Sequence, residues 1–144
     1  MKTIRRPVFV KSMQQKLIRA AVYSSADQLR YESCSLPEST ALIASEVVNF
    51  SSEHRLFVLN GQIVAHSEYA DNVQEEGLLD AATMFLREFP TASAFVLDMG
   101  FLPGRGWAIV EANPVWGASL RGCPADKVLG CIAAATTAWQ AVSV

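Results

Sequence analysis

The sequence predicts an α+β fold, an antiparallel sheet backed by helices on one face. Three observations carry this reading. Asn60-Gly61 and Pro103-Gly104-Arg105-Gly106 each lie between two apolar runs, the pattern of a β-hairpin in which glycine supplies the positive φ a tight turn needs. Leu78, Ala82, Phe85, Leu86 and Phe89 recur at helical spacing, with charged residues mostly off that stripe. The resulting order, strands then hairpin, helix, hairpin and helix, is that of a layered α+β domain rather than of alternating β-α units.

The elements follow in chain order. Val8 to Val10 is a short β-branched and aromatic strand, and Leu17 to Tyr23 offers a second. Ser24 to Glu38 is polar, a loop with a short helical turn that Pro37 ends. Ala41 to Phe50 is dense enough in apolar residues to suggest a long strand buried on both faces. A two-residue turn at Asn60-Gly61 pairs Phe57 with Val64 and Arg55 with His66. Asn72 and Glu75 have capping-box spacing for the helix that follows, and Pro90 stops it. Pro124 suits the start of a closing helix, with Leu129, Ile132, Thr136 and Trp139 as its apolar stripe.

The chain has 144 residues, one domain's worth, so the span 1–144 is read as a single domain. Half the residues are apolar, enough for a sizeable core. A net charge of −2 gives no electrostatic footprint for nucleic acid or an anionic membrane surface. Three irregularly spaced cysteines, Cys34, Cys123 and Cys131, fit reduced thiols in a cytoplasmic protein better than disulfides or a zinc site. The amino terminus has no signal-peptide pattern, and no apolar run is long enough to span a bilayer. Neither a P-loop nor a Gly-x-Gly-x-x-Gly motif is present.

The chemistry gathers at the second hairpin. With its turn centred on Gly104-Arg105, Asp98 falls directly opposite Glu111, and Asn113 shares the face of Glu111. Like charges directly opposite destabilise a sheet, so a positive partner belongs between them. Mg²⁺ suits these hard oxygen donors; the plainer alternative is a solvated hairpin whose acids face water. On the repulsion argument, removing one acid leaves the ligand-free fold unchanged or slightly more stable.

Asp, a hairpin and then Glu111-Ala-Asn-Pro114 resemble the metal-binding end of the ATP-grasp superfamily. The resemblance extends backwards. Pro7-Val-Phe-Val-Lys11 is similar to the strand that carries an ATP-binding lysine, and the stretch from Ser45 to Gly61 is similar to the hinge strand and the Glu-x-Arg hairpin after it. Residues about 7 to 135 are covered in the family's order, nearest to small domains of the ribosomal-protein-glutamate-ligase type. The implied fold is ATP-grasp-like, lacking most of the amino-terminal lobe. The implied activity is joining a carboxylate to an amine through an acyl-phosphate, with ATP and Mg²⁺ as cofactors and a small carboxylate or peptide as substrate.

Roles carry over residue by residue. The resemblance makes Asp98, Glu111 and Asn113 the metal ligands. It gives Lys11 and Lys16 to the phosphates, although a lysine at a strand end also reads as a surface residue lying along the sheet. Glu46 and the backbone at Val48 match the adenine hinge; Glu46 reads equally as an edge residue facing water. Arg55 goes to the γ-phosphate or acyl-phosphate, or to a salt bridge with Glu53 or Glu68. Arg121 neutralises a substrate carboxylate, while Trp116 packs against the core. The flap glycines expected after the lysine strand are absent up to Pro37, and the chain begins almost at that strand. A missing lobe supplied by another chain, or by a second copy in a homo-oligomer, is one consequence. A degenerate or partial module that binds a partner and catalyses nothing is the rival reading. A third is an unrelated interaction domain whose hairpin acids are surface features.

Overall fold

The structure, a computed structural model, describes residues 6–13, 17–70, 75–89 and 92–136. Lys16, Asn72, Pro90 and Trp139, each named above, lie outside the described residues. Within the span read as one domain, the chain forms two compact units, Met1–Asn49 and Phe50–Val144.

The first unit holds three strands, β1 (Val8–Ser12), β2 (Ala21–Tyr23) and β3 (Leu42–Ser45), and the helix α1 (Ala26–Ser33). The sheet is antiparallel in the order β2-β1-β3. Period-two alternation sorts its side chains. Val10 and Tyr23 are buried together with Ile18, and Val8, Ala21, Leu29, Leu36 and Leu42 pack against them. Phe9, Lys11, Val22 and Ile43 fall on the opposite face, where Phe9 pairs with Val22 and Lys11 with Ile43. Ser25 caps α1 by accepting from the Gln28 backbone N–H. The polar stretch thus forms an eight-residue helix where the sequence predicts only a turn. The long buried strand predicted from Ala41 to Phe50 is also corrected. Only Leu42–Ser45 is strand, its last three residues are exposed, and Glu46 to Phe50 has no regular structure. Apolar density did not imply burial: β3 is an edge strand of its sheet, and Ile43 and Ser45 fall on the face away from α1.

The second unit contains the four-stranded antiparallel sheet β5-β4-β6-β7, formed by β4 (Ser52–Leu59), β5 (Gln62–Ala70), β6 (Ala94–Leu102) and β7 (Gly106–Asn113). Its helices lie on opposite faces, not on one. α2 (Leu78–Glu88) packs Leu78 and Ala82 against Leu56, Val58, Phe95, Leu97 and Met99. α3 (Ala125–Ala135) packs Val128 and Cys131 against Phe57, Ala65, Ala94 and Val96. β6 is therefore buried on both faces, which explains an apolar run interrupted by a charge only at Asp98. The α2 stripe follows its predicted spacing, except that Phe89 is exposed and stacks on Phe85. The α3 stripe is corrected. Val128 and Cys131 face the sheet, Ile132 of the predicted stripe packs beside them, and Leu129 is 63% exposed.

Both hairpins form, and both carry a bulge. Asn60 and Gly61 have φ of 49° and 75°, as a type I′ turn requires, and Leu59 pairs with Gln62 as a two-residue loop dictates. Val64 is then an extra residue on β5. Phe57 consequently pairs with Ala65 and Arg55 with Ser67, one position beyond the predicted partners. In the second hairpin the loop is three residues, Pro103 to Arg105, closed by Leu102 opposite Gly106. That alone would misalign the acids by one. An extra residue on β7, Val110, restores the count, and Asp98 does pair with Glu111.

Candidate functional site

Register builds a row of polar side chains across the middle of the second sheet. Arg55 on β4 pairs with Asp98 on β6, and Asp98 pairs with Glu111 on β7. Asn113, two residues beyond Glu111, donates its Nδ2–H to Glu111 Oε1 at 2.8 Å. Arg55 and Asp98 share the face of Phe57 and Val96, the α3 side of the sheet.

The cation beside Asp98 is Arg55. Its Nε donates to Asp98 Oδ1 at 2.8 Å and its Nη2 to Oδ2 at 2.6 Å, a bidentate pair. Both side chains are almost fully buried, at 8% and 2% exposure. The sequence offered Glu53 and Glu68 as anions for Arg55; the structure supplies Asp98, 43 positions away. This overturns the expectation that removing Asp98 relieves repulsion. Its loss instead strands a buried guanidinium, the costly way to break a buried pair.

Arg55 also reaches the segment after the acids. Its Nη1 donates to the Ser119 carbonyl at 2.9 Å and to Ser119 Oγ at 3.3 Å. Ser67 Oγ donates to the Arg121 carbonyl, and Cys123, buried, lies 3.4 Å from Ser67 Oγ. Val115 is buried at the near end of this segment. Between those anchors Trp116 is 65% exposed. The expectation that it packs into the core is corrected, since a three-residue 3-10 turn, Val115–Gly117, points Val115 inward instead. Arg121 holds a φ of 51°, a left-handed conformation uncommon outside glycine, and is exposed.

The remaining predicted residues sit in the first unit. Lys11 is half-buried in β1, on the sheet face away from α1, opposite Ile43 of β3. Glu46 is exposed and Val48 half-buried, both just beyond β3. Sequence reasoning missed Ser119, Ser67 and Cys123, which fix the segment after Asn113. It also missed Phe50, whose ring covers Gly100 so closely that a Cβ there would meet Cδ1 at 2.4 Å. Gly100 alternates with Asp98 along β6, so this ring lies on the same sheet face. Only the glycine, within an otherwise apolar strand, gave a signal.

On the other sheet face, burial lowers the pKa of His54 below 6.5; neighbouring Glu68 opposes the shift and His66 adds to it. Neither ring nitrogen of His54 has a hydrogen-bond partner among the described residues, nor has Glu68 Oε1. The ring instead meets Trp107 edge-on at 5.4 Å, and Trp107 Nε1 donates to the Glu76 carbonyl.

The donor set suits a small hard cation. Glu111 and Asn113 lie on one face of β7 and carry carboxylate and amide oxygens, while Asp98, paired with Glu111, has both of its oxygens on Arg55. Among the described residues no cluster of three or more His, Cys, Asp or Glu could hold a metal; a site here depends on the amide and on oxygens from a ligand.

Carboxylates paired across a hairpin, with an Asn two residues on, agree with the resemblance to the ATP-grasp superfamily noted in the sequence. The chain belongs to that superfamily: the ATP-grasp domain, R2K clade family 2, matches residues 1–131. No curated protein matches the chain. Among solved structures it is similar to C-terminally truncated Cdc123 from Schizosaccharomyces pombe. The two share 17% identity at a TM-score of 0.47, over 80% of this chain and 61% of that one. No helix among the described residues is long and apolar enough to cross a membrane.

Proposed function

We propose that this chain binds Mg²⁺–ATP and contributes the nucleotide and metal site of a carboxylate–amine ligase that works through an acyl-phosphate. The observation that carries the reading is the row Arg55–Asp98–Glu111 with Asn113, built by register across three strands. Glu111 and Asn113 would hold Mg²⁺, which would supply positive charge against that which builds on a transferring phosphoryl group.

The chain's own residues have separable duties. Glu111 and Asn113, half-buried on an edge strand, present oxygens where a hydrated ion can approach. Lys11 offers an ammonium donor from a sheet face that also carries Phe9, Val22 and Ile43, apolar groups suited to a nucleotide's flat base. Arg121 extends a second cation from the segment that Arg55 and Ser67 hold in place. The carboxylate substrate, the nucleophile and the supply of any further lobe belong to this proposal too.

Calorimetric titration with ATP, with and without Mg²⁺, tests the reading. The expected result is binding that the metal strengthens and that Glu111→Gln weakens. Absence of binding at millimolar nucleotide in both conditions would falsify it and leave the non-catalytic module as the better account.

A further inference from the structure

The two acids of the row sit in different environments, and the difference separates their roles. Asp98 is on a central strand, 2% exposed, with each carboxylate oxygen already accepting a charge-assisted hydrogen bond from Arg55. Glu111 is on the edge strand β7, half-buried, with Asn113 at its side. Mg²⁺ demands near-octahedral coordination, sheds water reluctantly and keeps several waters when bound. A buried carboxylate enclosed by a guanidinium leaves little room for that shell. An ion bound directly to Asp98 would also stand close to the Arg55 charge, inside a poorly screened interior.

We propose that Asp98 is a positioning residue rather than a metal ligand. It fixes the Arg55 guanidinium, whose third nitrogen holds Ser119 and so the segment carrying Arg121, while Glu111 and Asn113 alone supply the chain's metal ligands. The inference rests on the Mg²⁺–ATP reading and assigns duties within it. Removing Asp98 then acts on nucleotide affinity through the Arg55–Ser119 connection, whether or not metal is present. Removing Glu111 acts on the metal-dependent part only.

The test is the ATP dissociation constant with and without Mg²⁺, and the ratio of the two, for wild type, Glu111→Gln and Asp98→Asn. The expected result is that Glu111→Gln collapses the ratio towards one and leaves metal-free affinity unchanged. Asp98→Asn weakens both affinities and keeps the ratio within about twofold of wild type, the usual spread for independent effects; loss of binding in both conditions counts on the same side. A collapsed ratio with metal-free affinity intact makes Asp98 a ligand and overturns the proposal. So does an Asp98→Asn protein with both affinities unchanged.

If Asp98→Asn fails to fold, the double variant Arg55→Met/Asp98→Leu carries the comparison. Replacing a buried ion pair by apolar residues of similar volume is often neutral or stabilising. Weakening in both conditions with a kept ratio supports the inference; a collapsed ratio, or both affinities unchanged, overturns it. Wild type that binds no nucleotide in either condition removes the functional reading itself, an outcome distinct from any change in the ratio.

Discussion

The four-stranded sheet is covered by helices on both faces, and the three-stranded sheet has its helix on one. Charge behaves accordingly. On the four-stranded sheet Arg55 and Asp98 are enclosed, and each is satisfied by the other. On the three-stranded sheet Lys11 lies on the face away from α1, half-buried and opposite Ile43. The same residue class is thus part of the framework in one sheet and a candidate ligand contact in the other. Cover, more than residue type, decides which.

The largest test breaks the framework half of that contrast. Asp98→Ala should lower unfolding stability by about 3–5 kcal/mol, because it leaves Arg55 buried and uncompensated. Denaturant midpoints measure this, and the double replacement Arg55→Met/Asp98→Leu should return the midpoint to wild type or above. A single variant as stable as wild type would mean that the sheet's cover opens easily.

Two packing variants probe how tightly the same sheet is covered. Gly100→Ala places a methyl within 2.4 Å of the Phe50 ring, so a loss of roughly 1–3 kcal/mol is expected from overpacking. Val128→Ala should cost roughly 1.5–3 kcal/mol, whereas Leu129→Ala should change stability by less than about 0.5 kcal/mol. Thermal melts of the pair decide the rotation of α3, and a reversed order would restore the stripe predicted from sequence.

His54 supplies a pH signature on the α2 face. Its folded-state pKa lies below the ordinary 6.5 because burial disfavours the charged ring. Between the folded value and 6.5 the unfolded chain binds more protons, so stability rises with pH across that window. It is retained above 6.5 and lost as pH falls through the folded value. Melting temperature should therefore drop on acidification through this range in wild type, and less so in His54→Leu. Parallel curves would show that His54 does not drive the change.

The smallest stability effect belongs to the three-stranded sheet. Lys11→Ala should alter the melting temperature little, by the equivalent of less than about 0.5 kcal/mol. The same variant should weaken Mg²⁺–ATP binding about tenfold, the scale of one hydrogen bond to a charged group. Equal affinity in the variant and wild type would reduce Lys11 to a surface residue.

Much of this arrangement is legible from local sequence. Turn chemistry located both hairpins, since Asn60, Gly61 and Gly104 adopt the positive φ angles their residue types favour. Helical spacing located α2 and its buried Leu78 and Ala82. Alternation placed Glu111 and Asn113 on one face. The Asp98–Glu111 pairing was also predicted, but through two compensating errors, a longer loop and the Val110 bulge. Bulges leave no reliable local mark, which is why Arg55 was assigned to His66 and in fact pairs with Ser67.

What the sequence by itself determined is the two hairpins with their turns, α2 and the acids of the second hairpin, because each depends on φ preferences and periodicities read over a few residues. Only the tertiary structure decided that Arg55 stands beside Asp98, that helices cover both faces of the second sheet, and that Trp116 and Leu129 face outward. Those outcomes depend on which strands become neighbours and on what packs over them. Strands β4 and β6 are brought together across 43 positions by burial of their shared core, and no local pattern encodes that choice.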